Sequence, residues 1–209
     1  MSQVNEPGVG AVIPINLVLP GILLILGIEV MVLMGVLSDT PGLRLSLTAL
    51  MLILPWTALL LSRRRVGALG FKCDRLLLHL GWGMVAGGVW RVASLLLNLW
   101  AFQLNGLGFT IVDLVAAILW VPFVEETFFR AYIGRSTSRF WGVVPGILIQ
   151  AILFSLMPSH VSQGLSAIVG IFIFGVLAGW MVYMRNSLWA AWGAHAFANL
   201  LPLLVLAVY

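Results

Sequence analysis

Six polar side chains stand at spacings suited to chemistry in the apolar C-terminal half of the chain. They are Glu125, Glu126, Arg130, His160, His195 and Asn199. Adjacent side chains on a helix point about 100° apart, so the two carboxylates can take different tasks. Glu126 and Arg130 have the i,i+4 spacing of a same-face ion pair. Glu125 is therefore left as the candidate general base.

The two histidines supply further donors and acceptors. His195 and Asn199 are also spaced i,i+4, so an imidazole and a carboxamide project from one face of a helix. This pair can hold a carbonyl oxygen or a metal ion. His160 follows Pro158 closely, and the proline can bend the helix and direct the ring inward.

The elements that must position these residues are membrane-spanning helices. Of the 209 residues, 62% are hydrophobic and 9% are charged, whereas a soluble domain carries about 25% charged residues. The apolar runs are too long for an outer-membrane barrel, whose segments alternate over about 10 residues. The net charge of +4 is better explained by orientation in a membrane than by nucleic acid, so no nucleic-acid partner is expected. Ionisable groups in such helices are candidate functional residues because they are costly there.

We predict one integral membrane domain over residues 1–209, an all-α polytopic transmembrane bundle with about seven spanning helices. The helices are expected at about 11–37, 42–62, 76–101, 108–133, 141–160, 164–184 and 187–208. Basic residues follow the second, fourth and sixth helices. The positive-inside rule then predicts a cytoplasmic N-terminus and an external C-terminus, in a cytoplasmic (inner) membrane.

Two interior contacts are expected from position alone. Glu29 and Arg91 lie at similar depth in the first and third helices, which predicts a buried ion pair with a structural role. Gly175 and Gly179 form a G-x-x-x-G pattern on the sixth helix. This pattern predicts close helix packing inside the bundle rather than dimerisation.

His160 presents a difficulty of depth. Counted from the cytoplasmic helix ends, Glu125 and His195 lie about 8 to 10 residues in, whereas His160 lies roughly 13 to 17 Å deeper. A strong tilt, a kink at Pro158 or a later entry of the fifth helix into the membrane would bring His160 to the level of the other residues.

Three segments of the chain resemble motifs of the CPBP family of intramembrane proteases, which includes the CAAX prenyl endopeptidases and bacterial abortive-infection (Abi) or bacteriocin-immunity proteins. Residues 125–130, EETFFR, are similar to its E-E-x-x-x-R motif, and residues 195–199, HAFAN, to its H-x-x-x-N motif. Residues 186–191, NSLWAA, are similar to its usual lead-in. The middle motif, F-x-x-x-H, departs from the pattern, because Leu156 stands four residues before His160 and the nearest phenylalanine is Phe154.

The resemblance covers about residues 110–205 and implies both a fold and a class of reaction. The implied fold is an all-helical membrane bundle with a catalytic cavity open to the cytoplasmic side. The implied activity is a glutamate-type intramembrane endopeptidase that cleaves near the C-terminus of a prenylated or hydrophobic protein substrate. The Glu126–Arg130 pair would support the helix that carries the motif.

The implied catalytic residues match those found from spacing. Glu125, helped by His160, would activate water as a general base, while His195 and Asn199 would donate hydrogen bonds to the oxyanion. No cofactor or metal is required. Membrane lipid is the second expected partner besides the substrate.

Two other functions remain open. Glu125, His160 and His195 offer the carboxylate and two imidazoles of a zinc protease, although the H-E-x-x-H motif is absent. Alternatively, the protein binds a hydrophobic partner without catalysis and acts as an immunity factor. Activity that survives zinc chelation would favour the glutamate mechanism, and a phenotype that survives Glu125→Ala would favour binding.

Overall fold

The N-terminal half of the protein folds into three long helices. The computed structural model describes residues 12–97, 99 and 110–208, without the side chains of Asp113 and of 204–208. The three helices are α1 (Ile15–Leu33), α2 (Pro41–Leu61) and α3 (Leu76–Leu96). The start of α2 follows from its sequence, because the Thr40 hydroxyl accepts a hydrogen bond from the Leu43 amide and Pro41 occupies the first turn.

Five further helices build the C-terminal half. They are α4 (111–141), α5 (Val143–Ser155), α6 (Pro158–Val161), α7 (Leu165–Arg185) and α8 (Leu188–Val208). The predicted end of the fourth helix at 133 is wrong, because α4 runs on until Gly142. This glycine adopts a φ of 101°, a conformation that side chains disfavour, and so ends the helix. The predicted fifth helix, 141–160, is divided before Pro158.

The exterior of the bundle is apolar, as lipid requires. Four described helices, α1, α2, α3 and α7, are long and apolar enough to cross a membrane. Leu23, Leu60 and Leu77 on three of them are 66%, 76% and 82% exposed, and such surfaces are stable facing hydrocarbon. The predicted all-α transmembrane bundle is confirmed. About seven spans fit this architecture when α4, the α5–α6 pair and α8 are added.

Glycine residues bring α3 directly against α8. A methyl group added at Gly83 would collide with the carbonyl oxygen of Ala190, and one at Gly87 would collide with that of Ala194. Small residues allow helix backbones to approach in this way. Since Ala194 precedes His195, α3 supports the segment of α8 that carries this histidine.

The G-x-x-x-G pattern of α7 packs inside the bundle. A Cβ atom at Gly175 would lie 3.0 Å from the Cα of Ala151, and one at Gly179 would lie 2.6 Å from Nε2 of Gln150. The Gln150 amide also donates a 2.8 Å hydrogen bond to the Gly175 carbonyl. Both neighbours belong to α5, so the predicted internal packing is confirmed.

The predicted ion pair between Glu29 and Arg91 is wrong. Both side chains are buried, at 1% and 0% exposure, but within the described part of the chain the Glu29 carboxylate has no hydrogen-bond partner. Similar depth did not bring the residues together, because α1 packs mainly on α2, α4 and α6, while α3 packs on α8. One contact between α1 and α4 is a 2.7 Å hydrogen bond that the Tyr132 hydroxyl of α4 donates to the Leu17 carbonyl of α1.

Candidate active site

The two adjacent glutamates lie where α4 changes from α-helical to π-helical geometry. The segments Ala116–Trp120 and Glu126–Gly134 are π-helical. Such segments widen the turn and often occur at functional sites. Every residue of the second segment is buried, whereas the Glu125 side chain is 13% exposed. Glu125 is therefore the carboxylate of the pair that a substrate or water can reach.

His195 of α8 lies between the two carboxylates. Its Nδ1–H donates a 2.7 Å hydrogen bond to Oε1 of Glu126, and its Nε2 lies 3.7 Å from Oε2 of Glu125. The first contact is short, as hydrogen bonds to ionised groups are. The second exceeds hydrogen-bond distance, a separation at which one water can contact both groups. The two carboxylates thus approach one imidazole, Glu126 by a hydrogen bond and Glu125 at a longer distance.

Glu126 also connects His195 to Arg130. The Nε atom of Arg130 lies 3.1 Å from Oε2 of Glu126, and both side chains are fully buried, so the predicted i,i+4 ion pair is present. The guanidinium carbon lies 4.1 Å from the centroid of the Phe154 ring, a cation–π contact. Spacing predicted the pairing with Arg130. It gave no signal for the contact with His195, which is 69 residues away.

His160 approaches the site because the chain breaks between α5 and α6. Its Nδ1 lies 2.6 Å from the Phe154 carbonyl oxygen. Since a carbonyl only accepts, Nδ1 carries the proton and Nε2 keeps its lone pair. The Phe154 ring lies between the two histidines, with its centroid 4.8 Å from that of His160 and 6.1 Å from that of His195. The break lies before Pro158, where a kink was expected, and His160 reaches the same phenylalanine ring that His195 contacts.

Asn199 faces α4 one turn beyond His195. Its Nδ2 donates a 2.9 Å hydrogen bond to the Ala117 carbonyl in the first π-helical segment. A carboxamide has a second N–H and an acceptor oxygen. Asn199 therefore links α8 to α4 and still has a donor to offer.

Each of the two histidines uses Nδ1 in a hydrogen bond and leaves Nε2 directed elsewhere. Across the residues that the structure describes, no three His, Cys, Asp or Glu side chains are grouped so that they could hold a metal ion. Nδ1 of His195 is bonded to Glu126 and Nδ1 of His160 to Phe154. The arrangement is that of an acid–base set with one accessible carboxylate beside an oriented imidazole.

The sequence of this region matches one known family. A family model for Rce1-like type II CAAX prenyl endopeptidases matches residues 107–201, a span that contains all six polar residues. The match confirms the predicted resemblance, and at the level of the family it indicates an integral membrane protease of CAAX type. No curated protein matches the chain, and no solved structure does.

Proposed function

We propose that the chain, whose residues 107–201 match the Rce1-like family model, is an intramembrane endopeptidase. It cleaves a peptide bond near the C-terminus of a prenylated or hydrophobic protein substrate. The observation that carries the proposal is the partly exposed Glu125 carboxylate, 3.7 Å from an imidazole that is itself oriented by a buried ion pair. Peptide hydrolysis needs a base for water and donors for the oxyanion, and this set supplies both.

The proposed first step is attack by water. Glu125, helped by the free Nε2 of His160, removes one proton from water while the water oxygen bonds to the carbonyl carbon of the scissile bond. The oxyanion then accepts hydrogen bonds from the remaining N–H of Asn199 and from Nε2–H of His195. This role uses a proton on Nε2 of His195, while Nδ1–H donates its hydrogen bond to the Glu126 carboxylate.

The second step is departure of the amine. Glu125 returns its proton to the amide nitrogen, the carbon–nitrogen bond breaks, and a carboxylic acid and an amine form; the acid then passes the second proton of the water to the amine. Arg130 keeps Glu126 in place throughout, and touches neither substrate nor water. Glu126 and Arg130 are therefore positioning residues, in keeping with their burial.

The experiment that tests the proposal compares purified wild type with Glu125→Gln in detergent. Both are incubated with farnesylated CAAX peptides and with unprenylated hydrophobic C-terminal peptides, and the products are read by mass spectrometry. Cleavage by wild type and by Asp74→Asn, a change at an exposed carboxylate, but not by Glu125→Gln, is the expected result. The position of the cut would name the substrate class, and equal cleavage by Glu125→Gln would remove Glu125 as the base.

The alternatives are separated in the same assay. Cleavage that is lost on strong chelation and restored only by zinc would favour a metal mechanism. Absence of cleavage of every peptide, together with a cellular phenotype that survives Glu125→Ala, would favour a binding protein.

We further propose that residues 1–209 form one domain with a cytoplasmic N-terminus. The support is the basic segment 63–75 after α2, since cytoplasmic loops are rich in Lys and Arg. This segment contains Cys73, which is exposed and is the one cysteine of the chain. A membrane-impermeant maleimide should leave Cys73 unlabelled in intact cells and label it after permeabilisation. Labelling in intact cells would reverse the orientation.

A further inference from the structure

A small cavity lies between α4, α5 and α7, apart from the Glu125 site. Its volume is about 30 Å³. The polar side chains that line it are those of Arg130, Arg135, Ser138, Gln150, Tyr183 and Asn186. Ser138, Tyr183 and Asn186 are partly exposed, so the cavity opens at the end of α7 where the basic residue Arg185 lies.

Two buried arginine residues line this cavity and have donors to spare. Arg130 is 1% exposed and Arg135 is 8% exposed. Nη1 of Arg135 donates a 3.0 Å hydrogen bond to Oδ1 of Asn186, but its Nε and Nη2 have no hydrogen-bond partner in the described part of the protein. Nη1 and Nη2 of Arg130 are likewise without one. At least four buried guanidinium nitrogens of these two residues therefore carry N–H groups without an acceptor in the described part of the protein.

The charges around the cavity do not balance. Glu126 is the carboxylate that pairs with Arg130, and it also accepts the hydrogen bond of His195. The described salt bridges include none to Arg135. Arginine does not lose its proton in proteins, and a buried charge without a partner is strongly unfavourable.

We propose that the cavity binds one small monovalent anion, chloride or a short carboxylate, between the guanidinium groups of Arg130 and Arg135. The volume exceeds the roughly 10 to 15 Å³ that one water needs, so it admits a small anion but excludes larger ones such as phosphate esters. The planar donor forks of arginine suit a carboxylate in particular. Bound there, the anion neutralises Arg135 and keeps Arg130 directed toward Glu126. Anion binding in this cavity does not depend on the proposed protease activity.

The test is thermal unfolding of the full chain in detergent, with sodium gluconate replaced by sodium chloride or sodium formate at constant ionic strength. A ligand at ten times its Kd lowers the unfolding equilibrium constant about 11-fold, so wild type should become more stable in both salts. Formate acting at lower concentration than chloride would identify a carboxylate site, and the reverse order a halide site. No stabilisation by either anion would mean a cavity filled with water and would overturn the proposal.

Two matched variants locate the effect. Arg139→Gln removes the same charge from an exposed position in the last turn of α4 and should keep the full response. Arg135→Gln should abolish it, and an undiminished response would place the anion elsewhere and refute the site. If Arg135→Gln does not fold, Arg135→Lys keeps the charge with fewer donors, and it should require several-fold more anion for the same stabilisation.

Discussion

The same isosteric substitution should affect different properties at the two adjacent glutamates. Glu126→Gln should lower stability, whereas Glu125→Gln should remove activity. Glu126→Gln removes the carboxylate paired with Arg130 at a site where both side chains are fully buried. Breaking such a pair from one side costs about 3 to 5 kcal/mol. For a chain of this length each kcal/mol lowers Tm by about 2 to 4 °C, so a fall of about 6 to 20 °C is expected.

Glu125→Gln should leave stability almost unchanged and remove activity. The Glu125 side chain is 13% exposed, and its near neighbour is an imidazole 3.7 Å away, too far for a direct hydrogen bond. Because no direct hydrogen bond is lost, the expected change in stability is about 1 kcal/mol or less, the typical size for a point substitution. Loss of a general base lowers the rate by about 10²- to 10⁴-fold.

Both variants are measured by intrinsic tryptophan fluorescence on heating and by peptide cleavage. Asp74→Asn serves as the control for loss of a carboxylate without burial. A Glu126→Gln protein with the wild-type Tm would refute the energetic importance of the buried pair. A Glu125→Gln protein as unstable as Glu126→Gln would refute the assignment of different tasks to the two residues.

Three further changes test the supporting structure by thermal unfolding. Gly87→Ala should cost about 1 to 3 kcal/mol, because its Cβ meets helix backbone, whereas Gly81→Ala, with nothing within 4 Å, should be neutral or stabilising. Tyr132→Phe should cost about 0.5 to 1.5 kcal/mol through loss of the hydrogen bond between α4 and α1, and no change would mean that water replaces it. A hydrogen bond from Arg44 lowers the pKa of Asp39, so the stability this pair adds is present above the ordinary pKa and lost as the pH falls through the lowered value. The pair should therefore contribute less than about 1 kcal/mol to the free energy of unfolding that wild type loses between neutral pH and acid. Asp39→Asn should lack this component.

The sequence predicted the parts of the molecule that depend on local spacing. Apolar runs and their polar breaks predicted the all-helical class and a number of spans that fits the structure, and the i,i+4 rule predicted the pair of Glu126 and Arg130. The G-x-x-x-G pattern of α7 likewise predicted that this helix packs closely inside the bundle. These features need only the geometry of one helix and the cost of polar groups in lipid.

The features that were missed depend on which helices are neighbours. Depth alone suggested a pair between Glu29 and Arg91, but depth says nothing about the direction in which a side chain points around the bundle. The contact of Glu126 with His195 joins residues far apart in sequence, and the π-helical geometry of α4 has no marker in its spacing. The predicted end of the fourth helix at 133 was wrong for a simpler reason. The helix continues through Gly134, and the chain leaves helical geometry at Gly142.

The glycine contact between α3 and α8 has a consequence for motion. Where backbone meets backbone, no side-chain rotamer is available to absorb sliding, so the close packing opposes movement of one helix along the other. The packing of Gly83 and Gly87 therefore helps to fix the position of His195, although both glycines lie outside residues 107–201. A fragment that begins at residue 107 would keep every polar residue of the site and would lose the helix, α3, that packs against the backbone next to His195.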